Sequence, residues 1–200
     1  MVDTALKVDY REIIKSEYKR CSIDPQYFMR KYCYIQHVVR GRMLFDLYPY
    51  QSSAIDRLLT GKDIIVLKAR QLGFTTVLAC YGLWMALFQK DKNILVIATK
   101  QDTAMNLIKK AQFAYDNLPI WLRTKTTTEN KMNITFSNGS QIKAVSSTGE
   151  AGRSESVSLL ILDECLDADH TIYIRNKETG EVKVVTLRSF YNDHSSGNEV

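Results

Sequence analysis

The chain has 200 residues, of which 45% are hydrophobic and 24% charged, so it can bury a core in one domain or slightly more. No apolar run reaches the roughly 18 residues that a membrane-spanning helix needs. The N-terminus also lacks the charged-then-apolar layout of a secretory signal. These features argue against a membrane or secreted protein, and we expect a cytosolic location with no membrane partner.

The four cysteines are Cys21, Cys33, Cys80 and Cys165. None forms a CxxC pair and no histidine lies at zinc-finger spacing, so we expect reduced thiols and neither a disulfide nor a zinc site.

The net charge of +5 is unevenly distributed. Residues 165–200 hold four Lys/Arg and six Asp/Glu, a net charge of −2, which leaves +7 for residues 1–164. A basic body suits a polyanionic partner, although an ordinary solvated basic surface explains it equally well.

Apolar spacing predicts helices and strands that alternate along the first part of the chain. Helices are expected over 9–33, 47–59, 75–88 and 101–116, with Asp24-Pro25 starting a new helix inside the first range. Strands are expected over 63–68, 93–99 and 156–163. Strands that are apolar throughout and alternate with helices indicate an α/β fold, a parallel sheet covered by helices on both faces.

Two further segments have the alternation of β-hairpins. Asn138-Gly139 lies between two alternating runs in residues 132–146, which is a strong hairpin signal. After Cys165, "TIYIRN" and "EVKVVTL" flank "KETG", which predicts a second hairpin in a small β module. We therefore place a domain boundary between Glu164 and Cys165.

The segment "LKARQLGFTT" (67–76) follows a predicted strand and opens a predicted helix, the context in which backbone N–H groups hold phosphate. Against the pattern GxxxxGK[ST], Gly73 and Thr75 fit, Phe74 occupies the lysine position and Lys68 the first glycine position. Lys68, or next Arg70, would supply the missing cation, and the Thr75 hydroxyl would bind Mg²⁺. The alternative is an ordinary strand–turn–helix corner with a capping threonine.

Two more features support a nucleotide site. Asp163 and Glu164 end an apolar strand, where Asp163 would hold Mg²⁺ and Glu164 would polarise the attacking water. In "YPYQ" (48–51), Gln51 can present a donor and an acceptor to an adenine edge, and Tyr48 or Tyr50 can stack on the base. The alternatives are an acid pair at a solvent boundary and a helix start after a proline.

The order YPYQ, KARQLGFTT, ILVIATKQDTA and LLILDE resembles the N-terminal ATPase domain of the large terminase subunit, the phage DNA-packaging motor. The resemblance covers about residues 40–164. It implies a P-loop NTPase-type sheet with flanking helices, incomplete here, and ATP with Mg²⁺. It also implies double-stranded DNA, the phage portal and the small terminase subunit as partners. The residues that it assigns to the nucleotide are Gln51, Lys68, Arg70, Gln71, Gly73, Thr75 and Thr76.

Two parts of that family do not follow in this sequence: the coupling motif expected on the strand after Glu164, and the nuclease domain. We therefore expect no DNA cleavage by this chain alone.

The segment "CLDADHTIYI", which begins at Cys165, resembles the first block of inteins. The resemblance implies a short all-β N-terminal intein fragment over 165–200, with Cys165 as the nucleophile that attacks the carbonyl of Glu164. Thirty-six residues are too few for an intein, so a complementary C-terminal intein fragment carrying the remainder of the terminase would be needed. Alternatives are a motor domain that simply continues, a frameshifted tail, a non-splicing nucleotide-binding fragment and a helicase-like ATPase.

Overall fold

A computed structural model of the chain describes residues 10–69, 71–98, 100–146, 156–163, 171–175, 179–186, 188–190 and 192. The chain separates into two compact units, Met1–Asp163 and Glu164–Val200. The division lies one residue before the junction predicted between Glu164 and Cys165. The assignment of the two parts to different families stays a prediction.

The first unit begins with two helices, α1 (Tyr10–Ile23) and α2 (Pro25–Tyr32). The side chain of Asp24 accepts a hydrogen bond from the backbone N–H of Tyr27 at 2.9 Å, and Pro25 occupies the first helical position. An N-cap acid followed by proline is a favoured helix start, so the predicted new helix at Asp24-Pro25 is confirmed.

An antiparallel hairpin follows, with strands β1 (Tyr34–His37) and β2 (Gly41–Leu44). The sequence pattern did not predict it, because both strands are short and mostly exposed. Helix α3 (Pro49–Leu59) then leads into the segment that carries the candidate phosphate loop.

The elements from the loop onward are α4 (Phe74–Phe88), β3 (Asn93–Ala98), α5 (Gln101–Asp116), a short 3-10 helix (Ile120–Leu122), β4 (Thr126–Glu129), β5 (Asn133–Phe136), β6 (Gln141–Ser146) and β7 (Leu159–Asp163). The five strands form one sheet at the centre of the first unit. Their order is β4-β5-β6-β3-β7, in which β3 pairs in parallel with β6 and β7, while β5 pairs antiparallel with β4 and β6. The sheet is therefore mixed, where the sequence predicted a parallel one.

The antiparallel part of the sheet includes the hairpin predicted around Asn138-Gly139. Gly139 has a φ of 84°, a left-handed conformation that favours glycine, and the turn joins β5 to β6. This prediction is confirmed.

The core lies on one face of the sheet. Ile94, Val96 and Ile161 are buried in one cluster with residues of α4 and α5. Helix α4 lies so close that a Cβ at Gly82 would meet Cγ2 of Ile94 at 3.3 Å. On the other face Leu95 is buried, but Leu160 and Leu162 of β7 remain 50% and 52% exposed. At β7, therefore, the expectation of a sheet covered on both faces is wrong within the described residues.

The strand predicted over 63–68 is also wrong. These residues form no strand in the described part of the chain, and Ile65 and Leu67 are 74% and 92% exposed. The apolar composition suits a buried strand, but a strand also needs a neighbour for its backbone N–H and C=O groups. The described strands offer this segment no ladder.

The second unit contains the other predicted hairpin. Strands β8 (Thr171–Arg175) and β9 (Val182–Thr186) pair antiparallel, with Tyr173 opposite Val184. The predicted hairpin is confirmed, whereas the all-β character of residues 165–200 and their identity as an intein fragment stay predictions. Among the described residues of both units, the helices are too short or too polar to cross a lipid bilayer.

Candidate nucleotide site

The loop before α4 has a strained, left-handed backbone. Gly73 has a φ of 73° and is the N-cap of α4, and Gln71 has a φ of 63° although it carries a side chain. A non-glycine residue in this region costs on the order of 1 kcal/mol and is concentrated at functional sites. As a glycine, this N-cap residue has no side chain to accept a hydrogen bond from the first N–H groups of α4. The first turn of a helix presents N–H groups and a partial positive charge, which favour an anion.

Three predicted residues meet beside this helix start. The hydroxyl of Thr75 donates a hydrogen bond to Oδ2 of Asp163 at 2.8 Å. Nζ of Lys68 lies 3.8 Å from Oδ1 of the same carboxylate. The Asp163 side chain is only 4% exposed and that of Lys68 is 30% exposed. Asp163 ends β7 and lies 88 residues from Thr75, so the fold itself assembles this group.

The lysine position of the usual phosphate loop serves a packing role in this chain. Phe74 is buried, and its ring centroid lies 5.9 Å from that of Tyr50. Tyr50 in turn stacks on Tyr48 at 5.5 Å with an interplanar angle of 8°. An aromatic ring in this place provides no charge, so the cation near the loop comes from elsewhere. Lys68 is the predicted substitute that the structure places at Asp163.

Gln51 ties α3 to the loop. Its Nε2 donates to the carbonyl of Leu72 at 2.9 Å, and its Oε1 accepts from the backbone N–H of Tyr48 at 3.1 Å. The Tyr50 hydroxyl donates to the same Leu72 carbonyl at 3.2 Å. Gln51 is 2% exposed, so its amide positions the loop backbone in this structure. The predicted contact with adenine would require the Gln51 amide to give up its hydrogen bonds to Leu72 and Tyr48 and to bond to the base instead.

The oxygen atoms of Thr75 and Asp163 are hard donors of the kind that Mg²⁺ prefers. The described residues contain no group of three or more His, Cys, Asp or Glu that would hold a metal ion by themselves. Mg²⁺ is often held by one or two protein oxygens together with phosphate and water. The pair therefore fits a metal that arrives with a phosphate ligand.

The remaining predicted residues divide into two groups. Thr76 lies in the first turn of α4, where its N–H bonds to the Gly73 carbonyl at 3.0 Å. Arg70, Glu164 and Cys165 lie outside the described residues. The sequence did not predict the hydrogen bonds from Gln51 and Tyr50 of α3 to the Leu72 carbonyl in the loop. Every residue has a backbone carbonyl, so such an acceptor has no signature in sequence.

Residues 65–176, more than half of the chain, match the family model described as terminase large subunit, T4likevirus-type, N-terminal. The chain belongs to this family of terminase large subunits. The matched range includes the candidate loop and Asp163, and it continues beyond the predicted junction.

The fold of this terminase chain is similar to the crystal structure of the HK97 bacteriophage large terminase. The TM-score is 0.56 at 21% sequence identity, and the match covers 70% of this chain and 30% of that chain. The chain thus spans about a third of the length of that terminase. At this identity the likeness concerns the fold alone.

Proposed function

We propose that residues 1–164 are the N-terminal part of the ATPase domain of a phage DNA-packaging motor and bind ATP with Mg²⁺. The observation that carries the proposal is the contact of Thr75 and Lys68 with Asp163 at the start of α4. A hydroxyl, a cation and a carboxylate beside a helix N-terminus are the parts that hold a nucleoside triphosphate and its metal. Membership of the terminase family favours this reading over a helicase-like ATPase.

Each residue has a distinct part in the proposed site. Thr75 and Asp163 would hold Mg²⁺. Lys68 would leave Asp163 and bind the β- and γ-phosphates, and Arg70 is the second candidate for this phosphate contact. The backbone of Gln71 to Gly73 and the first turn of α4, including Thr76, would surround the phosphates. Glu164 would orient and polarise the attacking water. Bound Mg²⁺ neutralises charge on the phosphate oxygens.

The mature partners in this proposal are double-stranded DNA, the phage portal and the small terminase subunit. The net charge of +7 on residues 1–164 is consistent with a nucleic-acid partner. The isolated chain would hydrolyse ATP weakly or not at all, because the segment that leads into its phosphate loop pairs with none of the described strands.

We further propose that residues 165–200 are the N-terminal fragment of a split intein. The observations in favour are the "CLDADHTIYI" segment, the separation of the chain into two units at Asp163 and Glu164, and the β8–β9 hairpin of the second unit. The family match extends to residue 176 and so marks no boundary at Cys165. A terminase domain that continues through Cys165 is the competing interpretation.

The chemistry of the first step is an N-to-S acyl shift. Sγ of Cys165 attacks the carbonyl carbon of Glu164, the peptide C–N bond breaks, and the nitrogen leaves as the amino group of Cys165. The resulting thioester holds residues 1–164. A nucleophile on the complementary chain then takes over this acyl group, and residues 1–164 become joined to the remainder of the motor.

Peptide mass spectrometry on phage-producing cells tests the splicing proposal. Cleavage after Arg153 and Arg175 releases "SESVSLLILDECLDADHTIYIR" from an unspliced chain. A spliced product instead yields a peptide that begins "SESVSLLILDE" and continues into sequence that this chain does not encode. Finding only the unspliced peptide during active packaging would contradict splicing.

The ATPase proposal is tested on the joined product. We expect ATP hydrolysis by the ligated motor, its loss in the Asp163→Asn variant, and little hydrolysis by the isolated chain. Equal hydrolysis by Asp163→Asn and the unsubstituted motor would contradict the assignment of the site.

A further inference from the structure

Among the described residues of the first unit, one apolar strand is paired on one edge only and one apolar segment is unpaired. β7 pairs only with β3 among the described strands, so its other edge has no partner there. Residues 63–68 are apolar at 64–67 and belong to no described strand, with Ile65, Val66 and Leu67 exposed by 74%, 41% and 92%. An apolar edge of this kind pairs readily with another chain.

Both segments lead to the same place. Lys68, at the end of the unpaired segment, reaches Asp163 at the end of β7 through its side chain, with 3.8 Å between the charged atoms. Thr75, just beyond the loop, bonds to the same carboxylate. The two segments therefore approach each other at the nucleotide site without pairing. Neighbouring strands lie about 4.8 Å apart, so one absent strand leaves a space of about 10 Å, which a long side chain such as that of Lys68 can cross.

The open surface continues from the edge onto one face of β7. Leu160 and Leu162 are about half exposed on the face opposite α4 and α5. Parallel strands are normally covered on both faces by the helices of their crossover connections. A strand that fills the edge, followed by a helix that returns over Leu160 and Leu162, would cover all of the exposed apolar groups.

From this geometry we propose that β7, residues 63–68 and the Leu160–Leu162 face form an acceptor slot. The slot takes one apolar strand, with its following helix, from a second polypeptide that carries the remainder of the ATPase domain. The docking is noncovalent and precedes any peptide bond between the two chains. This inference rests on the proposed split motor. The occupant is favoured because the match to the HK97 large terminase covers only 30% of that chain, which leaves ample sequence to supply a strand and a helix.

Docking before ligation has a consequence for the nucleotide site. The inserted strand would fix residues 63–68 and hence the position of Lys68 relative to Asp163. The site would then become competent when the two chains associate, and ligation would make that state permanent.

Site-specific crosslinking in phage-producing cells tests the slot. The full chain carries Cys165→Ala, which blocks the proposed ligation, and a photoreactive p-benzoylphenylalanine at Leu160. The same group at Ile120, which is 85% exposed in the 3-10 helix, is the matched control. We expect an adduct from position 160, and none from position 120, with a peptide that mass spectrometry assigns to the continuation of the motor domain.

Hydrogen exchange on the Cys165→Ala chain gives a second, local readout. Amides of residues 64–67 should exchange on the order of 100-fold more slowly in the complex with the complementary chain than in the chain alone, because strand pairing protects them. Association through the intein fragments alone would leave this exchange unchanged and would overturn the proposal.

The other outcomes separate the two proposals. An adduct with a second copy of this chain, or with its own residues 164–200, would overturn the slot. Absence of an adduct while the unsubstituted chain is ligated would also overturn it and would leave splicing intact. Absence of both adduct and ligation would overturn the split motor together with the slot.

Discussion

The Thr75 hydroxyl donates a hydrogen bond to the buried carboxylate of Asp163 at 2.8 Å, which joins the first turn of α4 to the end of β7. Asp163 is 4% exposed, so loss of this donor leaves a buried carboxylate with fewer partners. Such a loss is costly, since the desolvation of the carboxylate is then less fully compensated. The contact therefore contributes to folding even without a nucleotide.

We expect Thr75→Val to lower the free energy of unfolding by about 1.5–3 kcal/mol, the range for hydrogen bonds to charged groups. Urea unfolding of the isolated chain measures this effect. Thr75→Ser keeps the hydroxyl and should retain most of the stability. Valine keeps the methyl group of Thr75 and loses only the hydroxyl, so a Thr75→Val chain as stable as the unsubstituted one would contradict the role of the hydrogen bond.

The parts of the fold that sequence predicted are those with local causes. Helix α5 was expected over 101–116 and occupies Gln101–Asp116, because its apolar residues recur at helical spacing. Strand β3 was expected over 93–99 and covers Asn93–Ala98. The Asn138-Gly139 hairpin was equally clear, since the turn type depends on those two residues.

What the sequence did not predict concerns partners that lie far along the chain. Residues 63–68 have the composition of a strand, but strand formation depends on a neighbour that the described residues do not contain. The hydrogen bond from the Gln51 amide to the Leu72 carbonyl, 21 residues away, was not foreseen, and the contact of Gln51 with adenine stays a prediction. A backbone acceptor carries no residue signature, so the sequence offered no way to find this hydrogen bond. The Thr75–Asp163 pairing was predictable only because both residues belong to a known pattern.

Gly73→Ala should be more destabilising than an alanine at another left-handed glycine. Gly73 and Gly61 have nearly equal φ values of 73° and 71°, so both substitutions cost about 1–2 kcal/mol in backbone strain. A Cβ at Gly73 would also lie 2.9 Å from Nε2 of Gln51, whereas one at Gly61 meets nothing within 4 Å. We expect an additional loss of about 1 kcal/mol at Gly73, measured by urea unfolding. Equal losses at the two sites would show that Gln51 moves away freely.

Lys68→Met should impair nucleotide binding with a limited effect on folding. The proposed role of Lys68 is to hold phosphate, and removal of such a cation should weaken ATP affinity of the ligated motor at least about tenfold. Its side chain is 30% exposed and 3.8 Å from Asp163, so the loss of stability should stay within about 1 kcal/mol. The exposed Lys62 provides the control, and Lys62→Met should leave affinity unchanged. A titration with a fluorescent ATP analogue measures both, and unchanged affinity for Lys68→Met would assign the phosphate contact to Arg70.

The contact between α1 and α2 predicts a pH dependence of stability. The carboxylate of Glu17 accepts hydrogen bonds from Lys31 Nζ at 2.9 Å and the Tyr32 hydroxyl at 2.6 Å, and these bonds lower the pKa of Glu17 from 4.5 to about 2. A lowered pKa in the folded state stabilises the protein fully above pH 4.5, and the contribution is lost as the pH falls from 4.5 towards 2.

Glu17→Gln should therefore reduce stability at pH 7 by about 1–2 kcal/mol, a value discounted for the partial exposure of the group. The difference from the unsubstituted chain should shrink at pH 3, as measured by urea unfolding at both pH values. Glu12, which pairs with Lys15 at 2.7 Å on an exposed surface, is the control. Glu12→Gln should change stability by less than about 0.5 kcal/mol at either pH. A Glu17→Gln effect that stays constant from pH 7 to pH 3 would contradict the ionic origin of the stabilisation.

Cys165→Ala should abolish ligation and leave the unfolding of the first unit unchanged. The other thiols offer no substitute nucleophile, because Cys21, Cys33 and Cys80 are buried and burial raises the pKa of the Cys21 thiol to about 12. A thiol with so high a pKa supplies very little thiolate at neutral pH. Cys21→Ala is the control: it should lower stability through lost packing and retain ligation.

The proposed thioester gives this prediction a chemical readout. Hydroxylamine attacks a thioester carbonyl and releases the thiol, so the unsubstituted chain mixed with its complement should yield residues 1–164 as a hydroxamate. The Cys165→Ala chain should yield none, and mass spectrometry distinguishes the two. Ligation by Cys165→Ala, or ligation without a hydroxylamine-sensitive intermediate, would remove Cys165 from the mechanism. Absence of ligation by the unsubstituted chain would favour a terminase domain that continues through this residue.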